Sequence, residues 1–370
     1  MLATPTLPPP ALEQPAPHQV SYGLVTGLAA RGTQRVLVFA NGRRLASRAV
    51  TGRRFTLRVT LPRGDVTVRV TTVARGGRRS SVNVHDVFGL PPGARPRLVR
   101  QRHDRPLDRK LTRLVRTHPG TAGYFVQSLT GGAGAAWNAK ARFPAASTVK
   151  LAIAATVLAE HRGMPPPDSR IAGLLREMIV PSDDEAANAL LVWLRGSTSA
   201  GAYRVNDLMR GIGLTDTLMY GGYSTRTLSS RIPLRVDEDP AFGVGKYTTA
   251  WDMASLWRAL WLASGGLGPL RTAEPGLTPS DARHLLWLTA HVRDLPKLDT
   301  TVGRDRHVAV LHKAGWISAA RHDTGLVFWE GGVFVAGVMT YRSYGVSTSS
   351  DRLAGRVAAL ALARYRRTEG

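Results

Sequence analysis

The amino-acid sequence predicts an α/β domain, organised as an α/β sandwich with a helical subdomain, preceded by a small all-β domain. Short segments that alternate apolar and polar residues with period two fill residues 20–90, as is typical of strands. From residue 105 onward, strand-like runs at both ends flank several longer helical segments. A chain of 370 residues with a hydrophobic content of 43% is long enough for two globular domains.

The first domain follows a proline-rich stretch, residues 1–19, which we predict to be a disordered tether. Within residues 20–90, Asn41-Gly42 is a tight-turn signal, and three segments have strand character: residues 36–39, 55–61 and 66–71. Strands at this spacing predict a small immunoglobulin-like β-sandwich, which serves either as a spacer or as a binding module. Residues 91–104, which begin with Pro-Pro-Gly, are predicted to be a linker.

The second domain is predicted to occupy residues 105–370. Its strands come from both ends of the domain and its helices lie between them, so a site is expected at the seam between sheet and helical subdomain. The predicted helices are 106–117, 147–162, 168–180, 183–195, 248–264, 278–293 and 349–366, and the predicted strands lie within 122–138 and at 307–313, 324–329 and 333–341.

Three short motifs in chain order carry the candidate chemistry. They are Ser147-Thr148-Val149-Lys150, Ser182-Asp183-Asp184 and Lys313-Ala314-Gly315. Together they provide a nucleophile, a group for proton transfer and a cationic clamp for a substrate. A single Ser-x-x-Lys match is expected by chance in a chain of this size, whereas three motifs in this order are not.

Lysine is scarce in this chain, and its placement supports the motifs. Of the 50 lysines and arginines only six are lysine, and two of those six, Lys150 and Lys313, fall in the motifs. Arginine cannot lose its proton in a protein, whereas lysine can. A base that takes a serine proton therefore has to be a lysine.

Ser147 is predicted to lie at the N-terminus of a helix, where free N–H groups and the helix dipole favour negative charge. Lys150 follows three residues later on the same helix face, within reach of the Ser147 hydroxyl. The alternative is that Ser147 only caps the helix and that Lys150 is a solvated side chain.

With these motifs and their flanks, residues 105–366 resemble the serine β-lactamase and penicillin-binding protein superfamily, nearest the class A β-lactamases. The resemblance implies a β-lactamase-like fold and acyl transfer at an active-site serine, with no cofactor and no metal. The stretches that carry it are residues 136–147, 182–190, 247–254, 312–315 and 323–325.

The resemblance implies a role for each matched residue. Ser147 would be the acylated nucleophile, and Lys150 the general base or part of it. Ser182 would relay a proton to the leaving nitrogen, and Lys313 would place positive charge beside the substrate carboxylate. Backbone N–H groups of Ser147 and Trp316 would form the oxyanion hole, where one donor often contributes about 3 kcal/mol.

The sequence departs from the family pattern at two motif positions. Asp184 stands where the family usually has asparagine, and a carboxylate is expected to hold Lys150 more firmly protonated. Ala314 replaces the usual threonine or serine, so Ser318 or Arg321 would have to supply the missing contact to the substrate. The predicted substrate-binding residues are thus Asp184, Ala314, Gly315, Trp316, Ser318 and Arg321.

The glutamate loop that activates the deacylating water in class A enzymes has no match between Asn188 and Thr248. Glu238 is the candidate for this role, and the alternative is that it lies in a solvated turn ending at Pro240. The sequence therefore supports formation of an acyl-enzyme more strongly than its hydrolysis.

Several functions remain open. The first is hydrolysis of a β-lactam ring amide by a monomeric enzyme. The second is a cell-wall peptidase acting on a D-Ala-D-Ala-like substrate, or a slowly acylating protein. The third is a non-catalytic binding protein on the same scaffold, favoured by Asp184 and Ala314 but not by the intact Ser-x-x-Lys motif.

The net charge of +24 has three interpretations. The first is that arginine-rich coding places cations on solvated surfaces. The second is that the charge attracts anionic cell-wall polymers or lipid headgroups, and the third is that it binds nucleic acid. Nucleic acid is disfavoured because no basic helix, zinc finger or RNA-binding signature accompanies the charge. The family resemblance implies an exported protein, and residues 1–19 have no secretory leader pattern, which suits a mature exported N-terminus or a misplaced start codon.

Composition disfavours other classes of protein. The chain contains no cysteine, which excludes disulfides and thiolate metal sites. Its histidines at 284, 291, 307, 312 and 322 lack the paired spacing of a zinc motif and are expected at the surface or in hydrogen-bonded core positions. The sequence contains no apolar run of about 18 residues, so it predicts no membrane-spanning helix.

Overall fold

The computed structural model describes residues 7–224, 246–293, 297–343 and 345–369. The chain divides into two units, Met1–Arg95 and Pro96–Gly370. Among the described residues, no helix is both long enough and apolar enough to cross a membrane.

The first unit is built from two β-sheets. Its strands are β1 (Ala11–Gln14), β2 (Gln19–Ser21), β3 (Leu24–Leu28), β4 (Thr33–Ala40), β5 (Arg43–Ala49), β6 (Arg54–Arg58), β7 (Gly64–Ala74) and β8 (Arg79–Gly89). One sheet has the order β1-β3-β6 and the other the order β2-β8-β7-β4-β5. Alternate residues of the longer strands enter one apolar core, for example Val66, Val68 and Val70 of β7. The predicted all-β domain is confirmed, and its immunoglobulin-like topology stays a prediction.

The predicted disordered tether is wrong for part of residues 1–19. Strand β1 pairs antiparallel with β3, and β2 pairs parallel with β8. Proline does not prevent this, because Pro15 and Pro17 lie between the two strands, where no sheet hydrogen bond needs their missing N–H.

The second unit alternates between strands and helices. In chain order they are β9 (Arg102–His103), α1 (Arg105–Val115), β10 (Thr121–Ser128), β11 (Ala133–Trp137), β12 (Phe143–Pro144), α2 (Lys150–His161), α3 (Arg170–Ile179), α4 (Asp184–Arg195), α5 (Thr198–Gly211), β13 (Tyr247–Thr248), α6 (Ala250–Ser264), α7 (Pro269–Ala273), α8 (Pro279–Ala290), α9 (Asp299–Val302), β14 (Ala309–Ile317), β15 (Ala320–Trp329), β16 (Gly332–Tyr341) and α10 (Thr348–Glu369). Short 3₁₀ turns occupy Arg75–Gly77, Pro92–Ala94 and Ala146–Val149.

A six-stranded sheet of order β14-β15-β16-β10-β11-β9 forms the centre of this unit. Strand β16 shows how both faces are covered, because its side chains alternate between them. Phe334, Ala336 and Val338 pack into the cluster that includes α1 and α10. A side chain at Gly337 would meet the backbone oxygen of Ala250 on α6 at 2.8 Å, so α6 lies close against the other face.

The predicted linker is too long at its C-terminal end. Strand β9 pairs with β11, and the Asp104 side chain accepts a hydrogen bond from the Leu107 N–H at the start of α1. The N-cap bond and the strand pairing therefore hold residues 102–104 in the second unit.

Helix α5 was not among the predicted elements. Gly201 lowers the helical character of this segment, but a side chain there would meet the backbone oxygen of Leu191 at 2.1 Å. The glycine thus allows α5 to pack closely against α4, and this tertiary packing outweighs the local preference.

Strands β14 and β15 extend further than predicted and turn at Ser318-Ala319. Lys313 pairs with Thr324, and Gly315 pairs with His322, so the Lys-Ala-Gly motif lies within a strand pair rather than after it. The pairing fixes which face of the sheet each motif side chain occupies.

Candidate active site

Ser147 lies in the 3₁₀ turn Ala146–Val149, immediately before α2, and is partly exposed. The N-cap of α2 is Val149, with no side-chain capping bond, so the alternative in which Ser147 merely caps this helix is wrong. Ala146 has a φ of 46°, a left-handed conformation that is costly for a residue with a Cβ. The turn thus holds a strained residue directly before the predicted nucleophile.

Lys150 is the first residue of α2 and is fully buried, so it is not the solvated side chain of the alternative interpretation. Its Nζ donates to the Asp184 carboxylate at 2.5 Å, to the Ser182 backbone oxygen at 2.5 Å and to the Ser182 Oγ at 3.4 Å. Burial lowers the pKa of Lys150 to about 8. Asp184 raises this pKa, as expected, but burial has the larger effect, so the amine is not held more firmly protonated than an ordinary lysine.

Within the second motif, Asp183 caps helix α4 and Ser182 contacts Lys150. Asp183 is the N-cap of α4 and accepts a hydrogen bond from the Ala186 N–H at 2.6 Å. Ser182, with a φ of 65°, presents both its backbone oxygen and its hydroxyl to Lys150. The structure thus brings together the predicted nucleophile helix and the predicted proton relay.

Strand β14 lies directly against the nucleophile turn. A Cβ on Gly315 would stand 2.9 Å from the backbone nitrogens of Ser147 and Thr148, closer than real Cβ contacts come. Lys313, on the same sheet face as Gly315, is fully buried, and its charge lowers the pKa of Lys150. Trp316 follows, with 55% of its surface exposed.

The remaining predicted substrate-binding residues are less directly connected to this turn. Ala314 is fully buried. Arg321 donates to the Asp351 carboxylate of α10 at 2.6 Å, and that ion pair anchors its side chain to the helix. Ser318 is exposed in the turn between β14 and β15. Glu238 lies outside the described residues. The substrate-binding roles of Ser318 and Arg321 stay predictions.

Tyr223 is a site residue that sequence reasoning missed. The Asn188 side chain binds both its backbone N–H and its backbone oxygen, at 2.7 and 2.9 Å. Asn188 lies one helical turn after Asp184 on α4, so one helix face holds both Lys150 and Tyr223. The Lys150 Nζ lies 4.7 Å from the centre of the Tyr223 ring, and the Tyr223 hydroxyl donates to the Ala146 oxygen at 3.2 Å.

The Tyr223 phenol is neutral at physiological pH, because burial raises its pKa well above 10. A neutral phenol that already donates its proton to a backbone oxygen is a poor general base. Among the described residues, Tyr223 therefore lies beside Lys150 without supplying a base.

Lys246, the residue before β13, is a second missed residue. It is 9% exposed, its Nζ donates to the Gly222 oxygen at 2.9 Å, and it lies 3.6 Å from the centre of the Tyr223 ring. The pKa of Lys246 is lowered to about 7, mainly by burial; Asp184 raises it and the charge of Lys150 lowers it. Two low-pKa lysines thus share one tyrosine and one carboxylate.

His322 holds the segment that leads to the nucleophile. Its Nε2 donates to the Pro144 backbone oxygen at 2.8 Å, while its Nδ1 accepts from the Thr340 N–H at 3.2 Å. Burial lowers its pKa to about 4, so the ring stays neutral and keeps this tautomer. His322 is a hydrogen-bonded core residue, as expected from the sequence. Within the described ranges, no group of three or more metal-ligating side chains is assembled.

The fold and the assembled motifs are those of a serine hydrolase-type protein. A model of the beta-lactamase enzyme family matches residues 106–163 and 160–365, which is more than half of the chain. The chain therefore belongs to the beta-lactamase enzyme family, and the sequence resemblance is confirmed. A comparison with curated protein sequences finds no match.

Solved structures with the same fold include penicillin-binding and β-lactamase proteins. PBP-A is 21% identical, with a TM-score of 0.58 over 73% of this chain and 100% of that chain. A single-residue variant of PBP-A, solved as an acyl-enzyme complex with penicillin G, is 20% identical, with a TM-score of 0.57 over the same shares of the two chains. A β-lactamase from Sphaerobacter thermophilus is 19% identical, with a TM-score of 0.54 over 70% of this chain and 97% of that chain. These similarities confirm the predicted β-lactamase-like fold.

Proposed function

We propose that Ser147 is acylated by the ring amide of a β-lactam. The observation that carries the proposal is the buried, low-pKa amine of Lys150, held by Ser182 and Asp184 on the helix that follows the serine. In the neutral form this amine takes the Ser147 hydroxyl proton as the oxygen attacks the amide carbon. The carbon–nitrogen bond then breaks, Ser182 passes its proton to the leaving nitrogen, and the Lys150 ammonium returns to Ser182 the proton that it took from Ser147.

The oxyanion of this reaction would be stabilised by the backbone N–H groups of Ser147 and Trp316. The close approach of β14 to the nucleophile turn at Gly315 supports this pairing, since it brings the two backbone segments together. Lys313 would place its charge beside a substrate carboxylate. A scaffold kept only for binding would not need a buried lysine with a lowered pKa at this position.

Tyr223 favours a second candidate function, a penicillin-binding or D-Ala-D-Ala peptidase-like protein with slow release of the acyl group. Hydrolysis of the acyl-enzyme needs an activated water, and the phenol beside Lys150 is neutral and engaged with Ala146. We therefore propose that acylation is faster than deacylation in this protein.

Intact-mass spectrometry of the full chain mixed with penicillin G, followed over time, tests this proposal. We expect an adduct of the mass of penicillin G that persists after free penicillin is removed. A transient adduct with accumulating hydrolysed penicillin would instead establish efficient β-lactam hydrolysis. Absence of both adduct and hydrolysis would overturn the proposed substrate class.

The location and partners of the protein are further proposals. We propose an exported protein whose first unit binds anionic cell-wall polymers. The support is that residues 1–95 contain fourteen arginines and only three carboxylates, and all fourteen arginines are exposed. We expect the full chain to be retained on purified cell wall at low salt and released as salt rises, because exposed charges are screened. Retention that does not respond to salt would contradict a charge-based interaction.

A further inference from the structure

Three of the lysines in the second unit are buried around the nucleophile helix and the strand that covers it. Lys150 and Lys313 are fully buried and Lys246 is 9% exposed. Lys150 and Lys246 both lie over the ring of Tyr223, with Nζ-to-centre distances of 4.7 and 3.6 Å. The two amines therefore occupy one small region of the site, separated from solvent.

Among the described residues, Lys150 and Lys246 share the charge of one carboxylate, Asp184. Asp184 acts on both amines, and Asp183 acts on Lys150 from the start of α4. Lys313 on β14 adds a like charge that disfavours a proton on Lys150. Tyr223 is neutral, so its phenol offsets the charge of neither Lys150 nor Lys246. One well-placed carboxylate cannot balance two ammonium groups at low dielectric.

We propose that Lys246 is a positioning residue for the acylation of Ser147: as the second buried amine beside Asp184 and Tyr223, its charge makes a proton on Lys150 less favourable, so that Lys150 accepts the serine proton at a lower pH than it would alone. The inference rests on the proposed acylation and assigns to Lys246 a role that the three motifs do not contain.

The coupling acts through the repulsion between the two charges, and Lys246, which has the lower pKa, loses its proton first. Burial brings the pKa of Lys246 to about 7 and that of Lys150 to about 8, so they titrate within reach of each other and as a pair. Below about pH 7 a proton on Lys246 repels a proton on Lys150 and thereby raises the neutral fraction of Lys150. Above about pH 9 both amines are neutral and the repulsion is absent.

The experiment compares the pH profile of the acylation rate in Lys246→Met and Lys246→Arg. Because methionine carries no charge, we expect the acid limb of Lys246→Met to move to higher pH, with a loss of about three- to tenfold near pH 6 that shrinks as the pH rises. Arginine keeps its charge, so the acid limb of Lys246→Arg should lie at the same pH as that of the wild type or at a lower pH. Lys110→Met, which removes an exposed lysine on α1, is the control and should leave the profile unchanged.

A purely structural role of Lys246 would lower the rate by the same factor at every pH in both variants, and that result would overturn the inference. Asp184→Asn gives a further check, because loss of the carboxylate lowers the pKa of Lys150 and should move the acid limb to lower pH. If Lys246→Met is too unstable to assay, the Lys246→Arg profile and the NMR titration described next still test the inference.

NMR titration of lysine labelled with ¹³C at Cε separates failure of this inference from failure of the proposed function. The chain has only six lysine signals, and none of them depends on a reaction. Lys150→Met should raise the pH at which Lys246 titrates, because it removes the neighbouring charge. An unchanged midpoint overturns the coupling even in a protein that is acylated. A raised midpoint in a protein that penicillin never acylates overturns the proposed substrate and leaves the coupling intact.

Discussion

Replacement of Ser147 by alanine is expected to abolish the penicillin adduct, while the folded protein loses almost no stability. The proposed adduct is an ester at the Ser147 hydroxyl, and alanine has no oxygen to form it. The side chain is partly exposed in a 3₁₀ turn and does not cap α2, so its removal should change the free energy of unfolding by about 0.5 kcal/mol or less. Intact-mass spectrometry measures the adduct, and thermal unfolding measures the stability.

Ser199→Ala is the matched control, because Ser199 is an exposed serine on α5 and should leave labelling at the wild-type level. Equal labelling of Ser147→Ala and the wild type would show that the penicillin reacts elsewhere. In that case peptide mapping of the adduct would identify the residue that replaces Ser147 as nucleophile.

The motifs of the candidate site could be recognised in the sequence because each lies within a few neighbouring residues. Ser147 and Lys150 are joined by one helical turn, and Ser182 and Asp184 are joined by the start of α4. Scarcity of lysine added an independent signal, since arginine cannot act as a base. The family match over residues 106–365 confirms the fold that these motifs indicated.

The scarcity of lysine could also have identified Lys246 as a residue worth examining. Four of the six lysines are buried, namely Lys150, Lys246, Lys297 and Lys313, whereas Lys110 and Lys140 are exposed. In a chain that uses arginine for most surface cations, a lysine is an indication of burial or chemistry. The signal therefore holds for Lys246 and Lys297 as well as for the two lysines within the motifs.

Tyr223 could not be predicted from local sequence, because its position depends on contacts between distant segments. Asn188 of α4 binds its backbone, and its hydroxyl reaches Ala146 beside the nucleophile. Neither contact leaves a spacing pattern around Tyr223 itself. The expected effect of Asp184 on Lys150 was incomplete for a similar reason, since burial of the lysine is a property of the folded site.

Gly315→Ala is expected to suppress acylation of Ser147 about 100-fold or more, although it adds only one methyl group. That methyl would lie 2.9 Å from the backbone nitrogens of Ser147 and Thr148, so either β14 or the nucleophile turn must move. Neither can move freely, because β14 is paired along its length with β15 and the turn is continuous with the buried helix α2. The displacement would separate the Ser147 N–H from the Trp316 N–H, which together form the proposed oxyanion hole.

The acylation rate constant with penicillin G measures this effect, and thermal unfolding shows how much of it is loss of fold. Overpacking of this kind costs about 1–3 kcal/mol of stability, so the protein should remain folded at room temperature. Gly173→Ala is the control, because Gly173 lies in α3 with no atom within 4 Å of an added Cβ, and alanine should there be neutral or stabilising by up to about 1 kcal/mol. A Gly315→Ala protein that is acylated at the wild-type rate would mean that the spacing between β14 and the nucleophile turn does not determine the reaction. The oxyanion would then have to be stabilised by donors other than the two backbone groups that meet at Gly315.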